Sequence, residues 1–422
     1  MGWFRRRPSS RWLWTVALVV AIGLAQGYAW LRYELAKSDL SKDQPGEAAN
    51  HLAQASAIWP WGQRPVVLIA RARAARKSGD LPAAMEFLRE ARRNESATTP
   101  ELTFEWSLLH AVDGNASEVA EYLQQRAEAE PEQQREVWEA LVQGYMAVYR
   151  ANDAYTVCQQ WVAKYPADLR AKELRGLAAI QGRGRGLRLG ADDLAEVLKG
   201  DPSRISARTA RSIALLDLGA FDEAQPELEH LVREQPGESM HRVRLARCLN
   251  MTGRGPEAEA MLDGVLREQP ENGMALRTRG QFALASARYE EAERWLARAA
   301  VVLPNDYQTL FLYSQSLQQT GKGSEAERQL QRASEVRSRS TQLAELRTRK
   351  LAENPLDPAL YTEMGQLLLA SGKIEQGLRW LEAAVALEPN YRPAHSILAD
   401  HYERSGNPAK SALHRKFASA VR

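Results

Sequence analysis

Few residues in this chain are of types that do chemistry, and their spacing does not bring them together. "GRGRG" at 182–186 has the glycine content of a phosphate-cradling loop. Such a loop follows a strand and closes on Lys-Ser or Lys-Thr, and neither feature is present. As a turn between two helices the same residues need no ligand. His395, His401 and His414 gather near the C-terminus without the i, i+3 or i+4 spacing that sets ligands on one helical face. GxSxG, GxxxxGK[ST], HExxH and a GxGxxG placed after a strand are all absent. Cys158 and Cys248 are the 2 cysteines, too few for a disulfide framework and without CxxC spacing. Asn94, Asn115 and Asn250 head N-x-S/T triplets, a pattern common enough by chance to carry no argument. The reading therefore names no catalytic residue, no cofactor-binding residue and no metal ligand.

Composition narrows the classes further. The chain has 422 residues, 44% hydrophobic and 26% charged, which suits a folded protein of two or three domains or one long repeat array. A formal net charge of +3, with basic and acidic residues interspersed, lacks the concentrated basic face of a nucleic-acid binder. Ala, Leu, Arg, Glu and Gln dominate, all good helix formers.

The first element is an apolar run. From Trp12 to Leu31 there is no charged residue, and Gln26 alone is strongly polar. About 20 such residues are what a helix needs to cross a hydrocarbon core of roughly 30 Å. Trp12, Trp14, Tyr28 and Trp30 stand near its ends, where aromatic rings favour the membrane–water interface. Arg5, Arg6, Arg7 and Arg11 precede the run, and the later flank is less dense in Lys and Arg. By the positive-inside rule the N-terminus stays in the cytoplasm and the body is exported. The competing reading is a signal peptide cut at Ala25-Gln26-Gly27, which also exports the body. Against cleavage, the apolar run continues past that point and passes into amphipathic helix without a break.

Past residue 35 the chain repeats itself. The clearest unit is residues 358–391, "PALYTEMGQLLLASGKIEQGLRWLEAAVALEPNY". With Pro358 at position one, Tyr361, Met364, Leu368 and Leu381 are the large apolar residues at four, seven, eleven and twenty-four. Gly365, Gly377 and Ala384 are the small residues at eight, twenty and twenty-seven, where helices come close. Gly372 at fifteen ends the first helix, and Pro389 at thirty-two ends the second. The frame recurs in 205–238, 239–272, 273–306 and 307–340, and more weakly in 29–62, 65–98, 100–133 and 135–168.

This unit resembles the tetratricopeptide repeat, a pair of antiparallel helices with a 34-residue period. The resemblance covers nearly all the chain after residue 35. It implies an all-α fold: a right-handed superhelical α-solenoid of antiparallel helix pairs, about ten repeats, preceded by one transmembrane helix. The expected organisation is a basic tail 1–11, a membrane helix 12–31, a partial first repeat 32–62, a solenoid 63–340, a half-repeat helical insertion 341–357, and terminal repeats with a capping helix 358–422. Two extra residues around "QGRGRGLRLG" should lengthen a turn, and "TQLAELRTRKLAENPLD" should form an elongated or additional helix. The final unit, 392–422, loses the small residue at position twenty and carries Arg415 at twenty-four, as a polar capping repeat would. Cys158 and Cys248 lie three repeats apart, too far to pair when repeats touch only their neighbours.

In this family the first helices line a concave groove through positions two, five, nine and twelve. Carried onto this sequence, the groove candidates are Gln143, Arg247, Asn250, Arg277, Gln281, Gln308, Phe311, Gln315, Gln318 and Gln366. Amides both donate and accept, so such a ladder could hold a peptide backbone. Helix propensity alone would also place Gln at these sites. The family's carboxylate clamp is not present, since Leu312 follows Arg277 and Gln281 at the next position six.

Three function classes follow. The first is a non-catalytic, membrane-tethered scaffold that binds protein partners or peptide segments on the extracytoplasmic side. The second is a cytoplasm-facing adaptor of envelope biogenesis. In outline the chain looks similar to the bacterial lipopolysaccharide-assembly regulator that joins one membrane helix to a cytoplasmic repeat array. That family ends in a metal domain with paired CxxC motifs, absent here, and the arginines here precede the helix. The third is the regulatory solenoid of an enzyme complex; repeats leave no room for a catalytic domain in this chain. No cofactor and no nucleic acid are implied.

Overall fold

The computed structural model describes residues 10–94, 99–182, 184, 186–351, 354 and 357–419, with only the backbone of residues 10–13, 16, 347 and 348. Arg5, Arg6 and Arg7 of the expected basic tail therefore lie outside what is described, and Arg11 is described by its backbone alone. The residues cluster into two compact units, Met1–Val148 with Asp153–Pro166, and Tyr149–Asn152 with Ala167–Arg422. Both are built of helix pairs, and among the described residues there is no strand.

The first unit holds α1 (Ser10–Ser41), α2 (Pro45–Ser56), α3 (Pro65–Lys77), α4 (Leu81–Asn94), α5 (Pro100–His110), α6 (Ala116–Ala129), α7 (Gln134–Ala147) and most of α8 (Ala151–Lys164). The second holds α9 (Leu169–Gly182), α10 (Gly186–Gly200), α11 (Ile205–Leu218), α12 (Phe221–Glu234), α13 (Ser239–Met251) and α14 (Gly255–Glu268). It continues through α15 (Gly273–Ala285), α16 (Tyr289–Val302), α17 (Tyr307–Gln319), α18 (Gly323–Glu345), α19 (Pro358–Ala370), α20 (Ile374–Leu387), α21 (Arg392–Arg404) and α22 (Pro408–Ser419).

One backbone rule makes these pairs. At the fifteenth residue of the repeat the chain enters the left-handed region. Gly79, Gly219, Gly253, Gly321, Gly372 and Gly406 have φ between +73° and +83°. Gly114 stands at +104°, and the three non-glycine equivalents, Asp43, Tyr149 and Ala287, at +57°, +61° and +56°. A left-handed residue just past a helix lets the following amides reach back to the last carbonyls. After α17, Lys322 N–H donates to Leu317 O at 2.9 Å and Gly321 N–H to Gln318 O at 3.2 Å. The helix is thereby closed and the chain reversed.

Packing between the paired helices depends on the small positions. A Cβ on Gly365 would stand 2.6 Å from Leu381 Cγ and 2.9 Å from Gly377 O, so α19 and α20 touch through bare backbone. Leucines and alanines fill the rest. In the second unit Leu215, Leu228, Leu231, Ala246, Leu262 and Val265 form one continuous buried cluster from repeat to repeat. Cys158 and Cys248 are buried and not joined in a disulfide, and Cys248 Sγ donates to Phe221 O at 3.3 Å.

Three expectations about departures meet the structure differently. The turn expected to be lengthened by the two extra residues of 169–204 falls partly outside the described residues, since between Gly182 at the end of α9 and Gly186 at the start of α10 only Gly184 is described. The half-repeat does elongate a helix: α18 runs 23 residues and passes into a π-type turn at Leu346–Lys350. The last repeat keeps a small residue at position twenty after all, since Ser411 is buried there, and Arg415 pairs with Glu403.

Among the described residues no helix is long and apolar enough to cross a membrane. The expected span 12–31 is divided. Trp14, Leu18, Val19, Val20, Ile22 and Leu24 are exposed, whereas Ala29, Ala36 and Leu40 are buried in the first repeat. The last part of the run is thus shared with the solenoid, as its hydrogen bonds confirm. Gln26 Nε2 donates to Trp59 O at 2.9 Å, and Trp61 Nε1 donates to Gln26 Oε1 at 2.7 Å.

Candidate partner groove

Within each unit, consecutive first helices pack directly on one another: α3 on α5 and α5 on α7, then α9 on α11, α13 on α15, α15 on α17 and α19 on α21. Among the described residues of each unit, second helices make no comparable contact, so first helices lie on the more crowded side of the stack. Their inward-facing side chains are the candidate lining.

In the first unit the lining is closed by charge. Arg73 and Arg76 occupy positions nine and twelve on α3. Arg76 Nε donates to Glu105 Oε1 at 2.6 Å, Arg76 Nη2 to Glu136 Oε1 at 2.6 Å, and Arg73 Nε to Glu105 Oε2 at 2.9 Å. Glu105 is fully buried and Arg76 is 6% exposed, so these charges depend on one another for solvation. Burial raises the Glu136 carboxyl, but Arg76 and Arg73 outweigh it and hold the group below its ordinary value. Burial also opposes the Arg76 charge, and Glu105 and Glu136 reverse that effect. Gln143, the one candidate in this unit, is half-buried and donates to Glu139 Oε1 at 3.3 Å. A cleft in this unit, lined by Gln124, Gln134, Trp138 and Gln160, holds about 210 Å³, below the roughly 300 Å³ of small-molecule sites.

The second unit offers a different face. Arg247, Gln281, Gln308, Gln315, Gln318 and Gln366 are exposed on α13, α15, α17 and α19, and Asn250 is half-buried on α13. The amides of Gln281, Gln308, Gln315, Gln318 and Gln366 make no side-chain hydrogen bond to another described residue. They remain available to an incoming backbone. Phe311 is half-buried and stacks on Tyr307 with ring centroids 5.7 Å apart, next to Leu310, Ala333 and Val336. It is partly a core residue and only its remaining surface can meet a partner.

Arg277 departs from the expectation. It is 9% exposed, and its Nη1 donates to Asp306 Oδ2 at 2.8 Å. Asp306 is the N-cap of α17, accepting Thr309 N–H at 2.8 Å as well. Arg277 therefore holds the next helix start in place and is not free for a ligand. Burial raises the Asp306 carboxyl, and its bonds from Thr309 and Arg277 bring it below the ordinary aspartate value.

The C-terminal histidines do meet, across helices. His395 Nδ1 and His414 Nδ1 are 2.8 Å apart, and His395 Nε2 lies 3.0 Å from Pro389 O. A neutral His395 then donates from Nε2 and accepts at Nδ1 from His414. His414 stacks on Tyr402 at 5.7 Å and His395 on Phe417 at 4.8 Å, a packing cluster that fixes α22. Among the described residues no group of three or more His, Cys, Asp or Glu side chains could hold a metal ion.

Comparison with known proteins bears on the repeats. Models of the tetratricopeptide repeat family match residues 215–281, 362–414 and 65–90, on α11 to α15, α19 to α22, and α3 to α4. The chain carries tetratricopeptide repeats. No curated protein matches it in sequence. Among solved structures it is similar to a tetratricopeptide repeat protein from Parabacteroides merdae, at 17% identity over 69% of this chain and 99% of that one, with a TM-score of 0.36. It is also similar to the human IFIT1 dimer with m7Gppp-AAAA, at 15% identity over 90% of this chain and 73% of that one, with a TM-score of 0.33. Tetratricopeptide repeats generally mediate protein–protein interaction, and the matched repeats suggest a protein-interaction scaffold.

Proposed function

We propose that this chain is a non-catalytic scaffold, held at a membrane by the N-terminal half of α1, that receives an extended peptide segment of a protein partner on the inner face of its second unit. The observation that carries the binding half is the set of uncommitted amides on α15, α17 and α19. Gln281, Gln315 and Gln366 recur at position nine of their repeats, and each can satisfy both a peptide N–H and a carbonyl. An amide ladder without charge reads backbone rather than side chains, so the partner segment is recognised by its extended form.

Support for the tether is the charge-free run 12–31 and the exposed apolar side chains from Trp14 to Leu24, which no described part of the chain covers. The arginines preceding the run favour a cytoplasmic N-terminus and an extracytoplasmic solenoid.

A photo-crosslinking residue at Gln315, in the native host, tests the groove. The expected result is crosslinked protein from position 315 and from 281, but none from the exposed Val301 on the second helix α16. Equal crosslinking from position 301 would contradict the inner face as the binding site.

A further inference from the structure

The apolar run and the first repeat share residues, and this constrains how the protein could meet a bilayer. We infer that the first repeat is seated in the membrane–water interface, with the tip between α2 and α3 immersed at headgroup level through Trp59. The inference rests on the membrane tether proposed above.

The geometry is a matter of length. From Gln26 onward α1 is engaged by the first repeat: Gln26 is bonded to Trp59 O and Trp61 Nε1, Tyr28 OH donates to Gln54 Oε1 at 3.1 Å, and Ala29 is fully buried. The part of the run ahead of these contacts is Trp12–Ala25, about 21 Å of helix at roughly 1.5 Å per residue. A hydrocarbon core is roughly 30 Å thick. The run fills the core only if residues 26–31 also lie at its edge, and whatever packs against them then lies at that depth too.

The side chains at that level suit it. Trp59 is 77% exposed, Trp30 55%, Leu31 50% and Tyr28 42%. Indole and phenol rings with a wet, polar end favour the interface. Arg32 stands at 5.0 Å over the Tyr28 ring and Arg64 at 4.3 Å over the buried Trp61 that bonds Gln26, two cations suited to anionic headgroups. Gln26, the one strongly polar residue of the run, is matched by the loop's own donor and acceptor, which removes the cost of bringing its amide near hydrocarbon. The occupant of this surface is thus a lipid bilayer with anionic headgroups.

The test uses the full chain in vesicles of phosphatidylcholine and phosphatidylglycerol. Trp59→Cys is labelled with an environment-sensitive fluorophore. Trp59 serves α1 through its carbonyl, so the Gln26 bond survives the substitution, and both native cysteines are buried. Val301→Cys on the second unit is the exposed control. Seating predicts that the probe at 59 shifts to shorter wavelength and is quenched at least about twofold by a headgroup-level spin-labelled lipid, while the probe at 301 does neither. If the chain floats with vesicles but the probe at 59 behaves like that at 301, the seating is overturned and the tether stands. If the chain does not float with vesicles, both fail.

Discussion

At the scale of single residues, the left-handed turn positions and the buried charges make the sharpest predictions. Ala287 holds φ at +56°, where a Cβ costs about 1–2 kcal/mol. Ala287→Gly should therefore stabilise the protein by about 1 kcal/mol, read as a higher urea midpoint; no gain would mean that the turn is not strained. Arg76 is the opposite case. Arg76→Met leaves Arg73 alone to face the buried Glu105 and the half-buried Glu136, and should cost about 3 kcal/mol, measured by the same unfolding. The glycines at position fifteen were legible because glycine is what that backbone prefers. Tyr149 and Ala287 were legible only through the register, since nothing in their chemistry marks a left-handed site, whereas Asp43 is of a type that tolerates one. Arg277 was misplaced for a related reason. Its partner Asp306 stands 29 residues away, and only the folded chain shows that a cap residue and a groove position belong to one ion pair.

At the scale of elements, helix pairing rests on bare backbone contacts and on a terminal cluster. Gly365→Ala places a Cβ 2.6 Å from Leu381 Cγ, and overpacking of this kind should cost about 1–3 kcal/mol. The α21–α22 pair carries a pH dependence. Burial and then His395 lower the His414 value below the ordinary 6.5, with Glu382 opposing and Lys410 assisting. A group depressed in the folded state contributes stability that is complete above its unfolded value and lost as pH falls through its folded one. Hydrogen exchange in α22 should therefore quicken, relative to α15, as pH drops below about 6.5, and His414→Gln should remove the effect. A pH-independent ratio would show that the pair is not what fixes the helix. The meeting of these histidines could not be read from spacing along one helix, because they face each other from two. The elongated α18 was legible, since its apolar period simply continues.

At the scale of the whole molecule, the repeats were the most legible feature, because one spacing recurs wherever two helices must touch. The apolar run was legible in composition, and its overlap with the first repeat was legible from residue 29, where the frame 29–62 begins. Only the fold shows that Gln26 and Tyr28 serve the first repeat as well. The inner-face amides were found by position and survive as exposed groups in the second unit, whereas the first unit spends the same positions on Arg73 and Arg76. The central claim is a scaffold tethered by α1 and displayed outside the cytoplasm. Protease added to sealed spheroplasts of the native host, with a tag fused after Arg422, tests it most directly. The expected result is loss of the tag and digestion of the solenoid while a cytoplasmic control protein survives; a tag that stays protected until the membrane is broken would contradict it.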